Sequence, residues 1–239
     1  MKIMLALVTA TGLVGGGALA IQATRDAAPI VMASVDDSAM AAPRRVIIGL
    51  DISKSNPLVD DPAFAAKVGL RISNIVRGLG FASEVHVRTF GSYDSSSNNF
   101  AYDALISTRN RPDHAGDEIQ KLISGTPALV KSGKWKSQMR TNILGFLDNV
   151  VQSIGCGGLP TTVILASDGI EDSEYVRLQK AGARLPAPSG APFRGCAEME
   201  ILGIGQGTNS PIETTRLRSE WTRWATAAGF AKFVGLNDW

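Results

Sequence analysis

Apolar residues recur along this chain with two different periods, and the two alternate. Val46 to Leu50 is a continuous apolar run, the pattern of a strand buried on both faces of a parallel sheet. Ala63 to Leu79 then carries Phe64, Val68, Ile72, Ile75, Val76 and Leu79 at helical spacing, with Gly78 and Gly80 to end the helix. Glu84 to Phe90 alternates Val85, Val87 and Thr89 with charged neighbours and reads as a strand. A Ser/Asn-rich loop, Tyr93 to Asn99, leads to a further strand, Phe100 to Ser107, paired with the previous one as a hairpin. Asp113 to Leu129 reads as helix, broken at Thr126-Pro127. Asn142 to Ile154 is a clear helix built on Ile143, Leu144, Phe146, Leu147, Val150 and Val151. Thr161 to Ala166 is another buried strand, and Tyr175 to Ala181 a short helix. Leu185 to Cys196 is a Pro/Gly loop. Met199 to Ile204 is a strand, Ile212 to Ala228 the last helix, and Ala231 to Leu236 the last strand.

This alternation predicts an α/β fold: a doubly wound, mostly parallel central sheet with helices on both faces and one antiparallel edge strand. Ligands of such sheets bind beyond the carboxyl ends of the strands, where strand order reverses. Two carboxylates are predicted there: Asp51 ends the first buried strand, and Asp168 follows Thr162 to Ala166.

Composition narrows the classes. Apolar residues are 44% and charged residues 19% of 239, the balance of a folded domain rather than a disordered one. A formal net charge of +2, without a basic stripe interleaved with aromatics, argues against nucleic acid. His86 and His114 lie far apart, which disfavours a histidine zinc site. At the amino terminus Lys2 precedes an uncharged stretch to Gln22, with Ala18-Leu19-Ala20 as a small-residue exit. This is the pattern of a secretory signal peptide over 1–20, or of an uncleaved anchor if the apolar stretch spans a bilayer. Residues 21–43 read as linker, and the domain as 44–239. Thr11 to Gly17 also looks like a dinucleotide-binding turn, with Asp36 downstream. The intervening segment is too short for a full helix, and Arg25, Asp26 and Pro29 stand where the next strand should begin.

The candidate chemistry begins at Asp51-Ile52-Ser53-Lys54-Ser55. Asp51, Ser53 and Ser55 are hard oxygen donors, the kind magnesium takes in small number while keeping several waters. The same residues at a strand-to-helix junction could equally be helix caps. The run resembles the D-x-S-x-S motif of the von Willebrand factor A family. Three later segments resemble that family in the expected order: Thr141-Asn142-Ile143 at a helix start, Ser167-Asp168-Gly169, and Ile204-Gly205-Gln206-Gly207 after a strand. The resemblance covers Arg44 to Leu236 and implies a metal-ion-dependent adhesion site made of Asp51, Ser53, Ser55, Thr141 and Asp168. It implies Mg2+ as cofactor, with Mn2+ or Ca2+ as substitutes. The hydroxyls would bind the ion directly, and the two aspartates mainly through water. A protein partner presenting Asp or Glu would occupy the open position.

The family pattern is not followed throughout. Asn56-Pro57 and Val59-Asp60-Asp61-Pro62 lengthen the loop after the first motif. Glu171, Asp172 and Glu174 crowd the second, either as acids at the start of the helix expected near Ser173 or as ligands of a second cation such as calcium. Lys54 reads as a solvated residue or as a charge that steers an acidic partner. The family's strand order puts Cys156 and Cys196 at the amino ends of neighbouring strands, which implies a disulfide opposite the metal face in an exported protein. The expected function is therefore a non-enzymatic, metal-dependent protein-binding module, periplasmic or secreted, or held at the inner membrane facing the periplasm. A metal-dependent hydrolase or phosphatase is the alternative, opposed by the lack of a nucleophile and general base beside the motif.

Overall fold

The computed structural model describes residues 41–92, 100–208 and 210–239, and residues 39–239 form one compact unit. The signal peptide or anchor at 1–20, the glycine-rich turn, most of the 21–43 linker and the 93–99 loop lie outside the described residues.

Six strands form one sheet: β1 (Arg45–Asp51), β2 (Glu84–Phe90), β3 (Ala101–Leu105), β4 (Thr161–Ala166), β5 (Cys196–Leu202) and β6 (Lys232–Leu236). Their order is β3-β2-β1-β4-β5-β6, and only β3 runs antiparallel, as the hairpin partner of β2. Strand order reverses between β1 and β4, where Leu50 lies opposite Ala166. The ends of these two strands therefore open on one crevice.

Side-chain alternation divides the core into two layers. Ile47, Val163, Leu165, Met199 and Ile201 face helices α4 (Ile143–Ser153) and α5 (Pro211–Ala228). Val46, Ile48, Leu50, Val85 and Val87 face α1 (Pro62–Arg77) and α2 (Pro112–Ser124). Gly49 is where α4 comes closest: a Cβ there would stand 2.8 Å from the Phe146 ring. The doubly wound α/β architecture expected from the sequence is thus present, with helices on both faces and one antiparallel edge.

The break expected at Thr126-Pro127 is present: α2 ends at Ser124 and a short helix, α3 (Thr126–Lys131), follows, with Pro127 in its first turn, where the missing N–H costs nothing. One local expectation is corrected. Tyr175 to Ala181 is not helical. The chain doubles back instead: Ser173 N–H donates to the Val176 carbonyl at 3.0 Å, Asp172 pairs with Arg177, and Leu178 N–H donates to the Glu171 carbonyl at 2.9 Å. The Ser173 hydroxyl accepts from Tyr175 N–H, a local bond that competes with helix, and the turn carries Leu178 into the core.

Candidate metal centre

Asp51, the last residue of β1, is fully buried, and its carboxylate is held from two sides. Ser53 N–H donates to Oδ1 at 2.9 Å, and the Ser167 hydroxyl donates to Oδ2 at 2.7 Å. Gly169 N–H in turn donates to Ser167 Oγ at 3.1 Å, so the residue before Asp168 is fixed to Asp51. The Ser53 and Ser55 hydroxyls lie 3.2 Å apart; Ser53 is buried and Ser55 opens to solvent. Asp168 Oδ1 accepts from Ile170 N–H at 2.9 Å, whereas its Oδ2 is buried without any hydrogen-bond partner. The Ser55 hydroxyl lies close enough to Asp168 to favour its charged form. The structure therefore gathers Asp51, Ser53, Ser55 and Asp168 in one cluster.

Thr141 is brought to the same end of the sheet by backbone pairing. Gln138 pairs with Ser53, and Thr141 pairs with Asp172, so residues 138 to 141 run between the two acidic loops. Thr141 is buried, immediately before Asn142, which caps α4 by accepting from Gly145 N–H at 2.7 Å.

Electrostatics shows what the cluster lacks. Burial pushes Asp51 up to about 7, and the neighbouring Asp168 carboxylate adds to the rise. Burial likewise raises Asp168 to about 6. Among the described residues no Lys or Arg bonds to either acid. Two buried carboxylates without a cation are unfavourable as charged groups, and each would neutralise by taking a proton or gain from a metal ion. The set fits a hard divalent cation: hydroxyl and carboxylate oxygens, one of them a buried acceptor with no donor. Among the described residues no three His, Cys, Asp or Glu side chains come together to hold an ion, so any ion here depends on the hydroxyls.

Four residues shape this site through roles that a reading of the sequence does not give. Asn56 Nδ2 donates to the Asp51 carbonyl at 2.7 Å and to the Ala166 carbonyl at 3.0 Å, clamping the ends of β1 and β4. Gln138 N–H donates to the Ile52 carbonyl, and Lys54 N–H to the Gln138 carbonyl, which sets the path of the first motif. Trp221 on α5 donates its indole N–H to the Gly169 carbonyl at 2.8 Å. Glu171 is fully buried, and its Oε2 accepts from Ile143 N–H at 2.8 Å and Leu144 N–H at 3.2 Å, the first turn of α4. Burial raises Glu171 to about 7; the nearby Ser173 hydroxyl opposes this without bonding to Oε1, which has no partner. An acid so close to the second motif was the only signal available, and burial is what gives it meaning.

The acids after the second motif have protein partners. They do not start a helix of their own, and they turn to three different partners. Glu171 caps α4, Asp172 pairs with Arg177 at 3.3 Å, and exposed Glu174 accepts from Asn142 Nδ2 at 3.1 Å. The histidines stand elsewhere: His86 on β2 bonds Asp103 at 2.6 Å, and His114 is exposed on α2. At the other end of the sheet Cys156 and Cys196 form the expected disulfide.

No protein-family model and no curated protein matches this chain. Several solved structures do, at low identity. The pilus adhesin SpaC of Lactobacillus rhamnosus GG is 14% identical over 84% of this chain and 29% of its own, with a TM-score of 0.46. An aerotolerance-related membrane protein from Bacteroides fragilis is 15% identical over 82% of this chain and 92% of its own, at a TM-score of 0.45. The conserved hypothetical protein BatB from Bacteroides thetaiotaomicron is 18% identical over 82% and 91%, at 0.44. The chain spans less than a third of the length of the adhesin.

Proposed function

We propose that this chain is a binding module of the von Willebrand factor A type, in which Asp51, Ser53, Ser55, Thr141 and Asp168 hold a divalent cation. The buried, unpartnered Oδ2 of Asp168 beside buried Asp51 carries this reading, because among the described residues it is an acceptor without a hydrogen-bond partner in a pair of acids without a counter-charge. Mg2+ suits the donors best, and Mn2+ or Ca2+ would substitute. When bound, the ion supplies an electrophilic position for an outside oxygen ligand.

The residues of the chain do the rest. Ser53 and Ser55 are neutral donors and leave the ion its charge. Ser167 and Ser53 N–H orient Asp51, while Gly207 leaves room beside Asp168, since a Cβ there would stand 2.8 Å from Oδ2. Ser55 is exposed to solvent. The ligand we infer is an Asp or Glu side chain of a protein partner, bound and released without chemistry. The signal-peptide pattern and the disulfide support an exported setting, periplasmic or secreted.

Titration calorimetry with Mg2+ tests the site. The native chain should bind one ion, and Asp51→Ala should bind none while unfolding cooperatively like the native chain. Equal Mg2+ affinity in the two proteins would remove Asp51 from the site.

A further inference from the structure

The rim of the proposed cation site is asymmetric. On one side stand Lys54, between Ser53 and Ser55, and the pair Met139-Arg140, between Gln138 and Thr141. The backbone pairing of Gln138 with Ser53 and of Thr141 with Asp172 fixes both stretches at the mouth. Each of these three residues is exposed, and each is one or two positions from a proposed ligand. Met139 is 73% exposed. The side chains of Lys54 and Arg140 have no hydrogen-bond or ion-pair partner among the described residues. On the other side the acids are already engaged, Asp172 by Arg177 and Glu174 by Asn142. Two cations whose side chains have no partner among the described residues, and an exposed methionine, thus lie beside the proposed cation site.

We propose that Lys54, Met139 and Arg140 form a docking surface for an acidic segment of a protein partner: one carboxylate on the cation, a second facing Lys54 and Arg140, and an apolar side chain against Met139. Charge complementarity argues for this occupant, and Met139 is the adaptable kind of apolar contact used at binding surfaces. The inference rests on the cation reading for its anchor, but the surface itself rests on the unpaired charges.

Three short fluorescent peptides test it by polarisation, each with a central Glu. The flanks are Asp and Leu in the first, Gln and Ser in the second, and Lys and Ser in the third. In Mg2+ the first should bind roughly 10-fold more tightly than the second, and the third most weakly, with an advantage that shrinks as salt rises. The double variant Lys54→Gln/Arg140→Gln should erase that order yet bind Mg2+ as the native chain does in calorimetry. Equal binding of all three peptides, binding of none, or an order that persists in the double variant would overturn the surface. If the order is lost in the double variant but survives chelation, the surface stands and the cation reading falls.

Discussion

The two ends of the central sheet are built on opposite plans. At the amino ends of β4 and β5 a covalent bond, Cys156 to Cys196, closes the structure. At the carboxyl ends of β1 and β4, buried Asp51 and Asp168 have no counter-charge among the described residues, and Glu171 is buried nearby at the start of α4. The first end contributes stability. The second holds ionisable groups in a setting that disfavours their charge, which is the usual condition of a binding site. Stability and ligand affinity should therefore separate when each end is perturbed.

The largest separation is expected from the disulfide. Replacing Cys156 and Cys196 by Ser should cost about 2–4 kcal/mol, read as a lower urea midpoint at unchanged slope. Mg2+ affinity of the folded fraction should not move, because the bond lies at the far end of the strands. A weakened Mg2+ affinity would show that the two ends are coupled.

Glu171→Ala should have a smaller and mixed effect. It removes an acceptor from two N–H groups of α4, a loss of about 1 kcal/mol by analogy with helix caps. Because α4 begins just after Thr141, Mg2+ affinity should also fall by roughly 10-fold, as when a residue that orients a ligand is lost. Glu171→Gln keeps an acceptor oxygen and should recover most of both, measured by denaturation and calorimetry. Gly207→Ala should act on affinity alone, again by about 10-fold, since the new methyl crowds Asp168 Oδ2 and touches no element of the disulfide end.

A separate effect is a pH slope of opposite sign from that of ordinary surface acids. Asp51 rises from 3.8 to about 7, so the folded state holds its proton more tightly than the unfolded chain does. In chelator, stability should decline as pH rises from about 4 to about 7, then level off, with Asp168 and Glu171 adding in the same direction. Saturating Mg2+ should flatten the decline, because the ion takes the place of the proton. Glu84, lowered by its bond to Arg45, acts the other way and only as pH falls through the acidic range. Thermal midpoints of the native chain and Asp51→Asn across this window give the comparison; identical slopes would remove Asp51 as the source.

What the sequence made legible follows from where the information sits. Strands β2 and β4 are predicted to the residue, because alternation and apolar runs are local and the sheet buries them as the pattern demands. Asp51, Ser53, Ser55 and Asp168 are legible as a motif, and the structure brings these four together. Tyr175 to Ala181 fails as a helix because Ser173 and the Asp172–Arg177 pairing impose a turn that periodicity does not encode. Asn56, Gln138 and Trp221 carry no local signature of these roles, and Glu171 only that of an acid beside the second motif. Each acts on backbone groups far away in sequence: Asn56 bridges to Ala166, and Trp221 to Gly169.

The disulfide has one further consequence. Its two cysteines are 40 positions apart, and the covalent ring they close contains β4, Asp168, Glu171 and the whole Pro/Gly loop of 185–195. A protease that cuts this loop in an oxidising compartment would nick the chain without dividing it. The two pieces would migrate as one molecule on a non-reducing gel and part only when thiol is added.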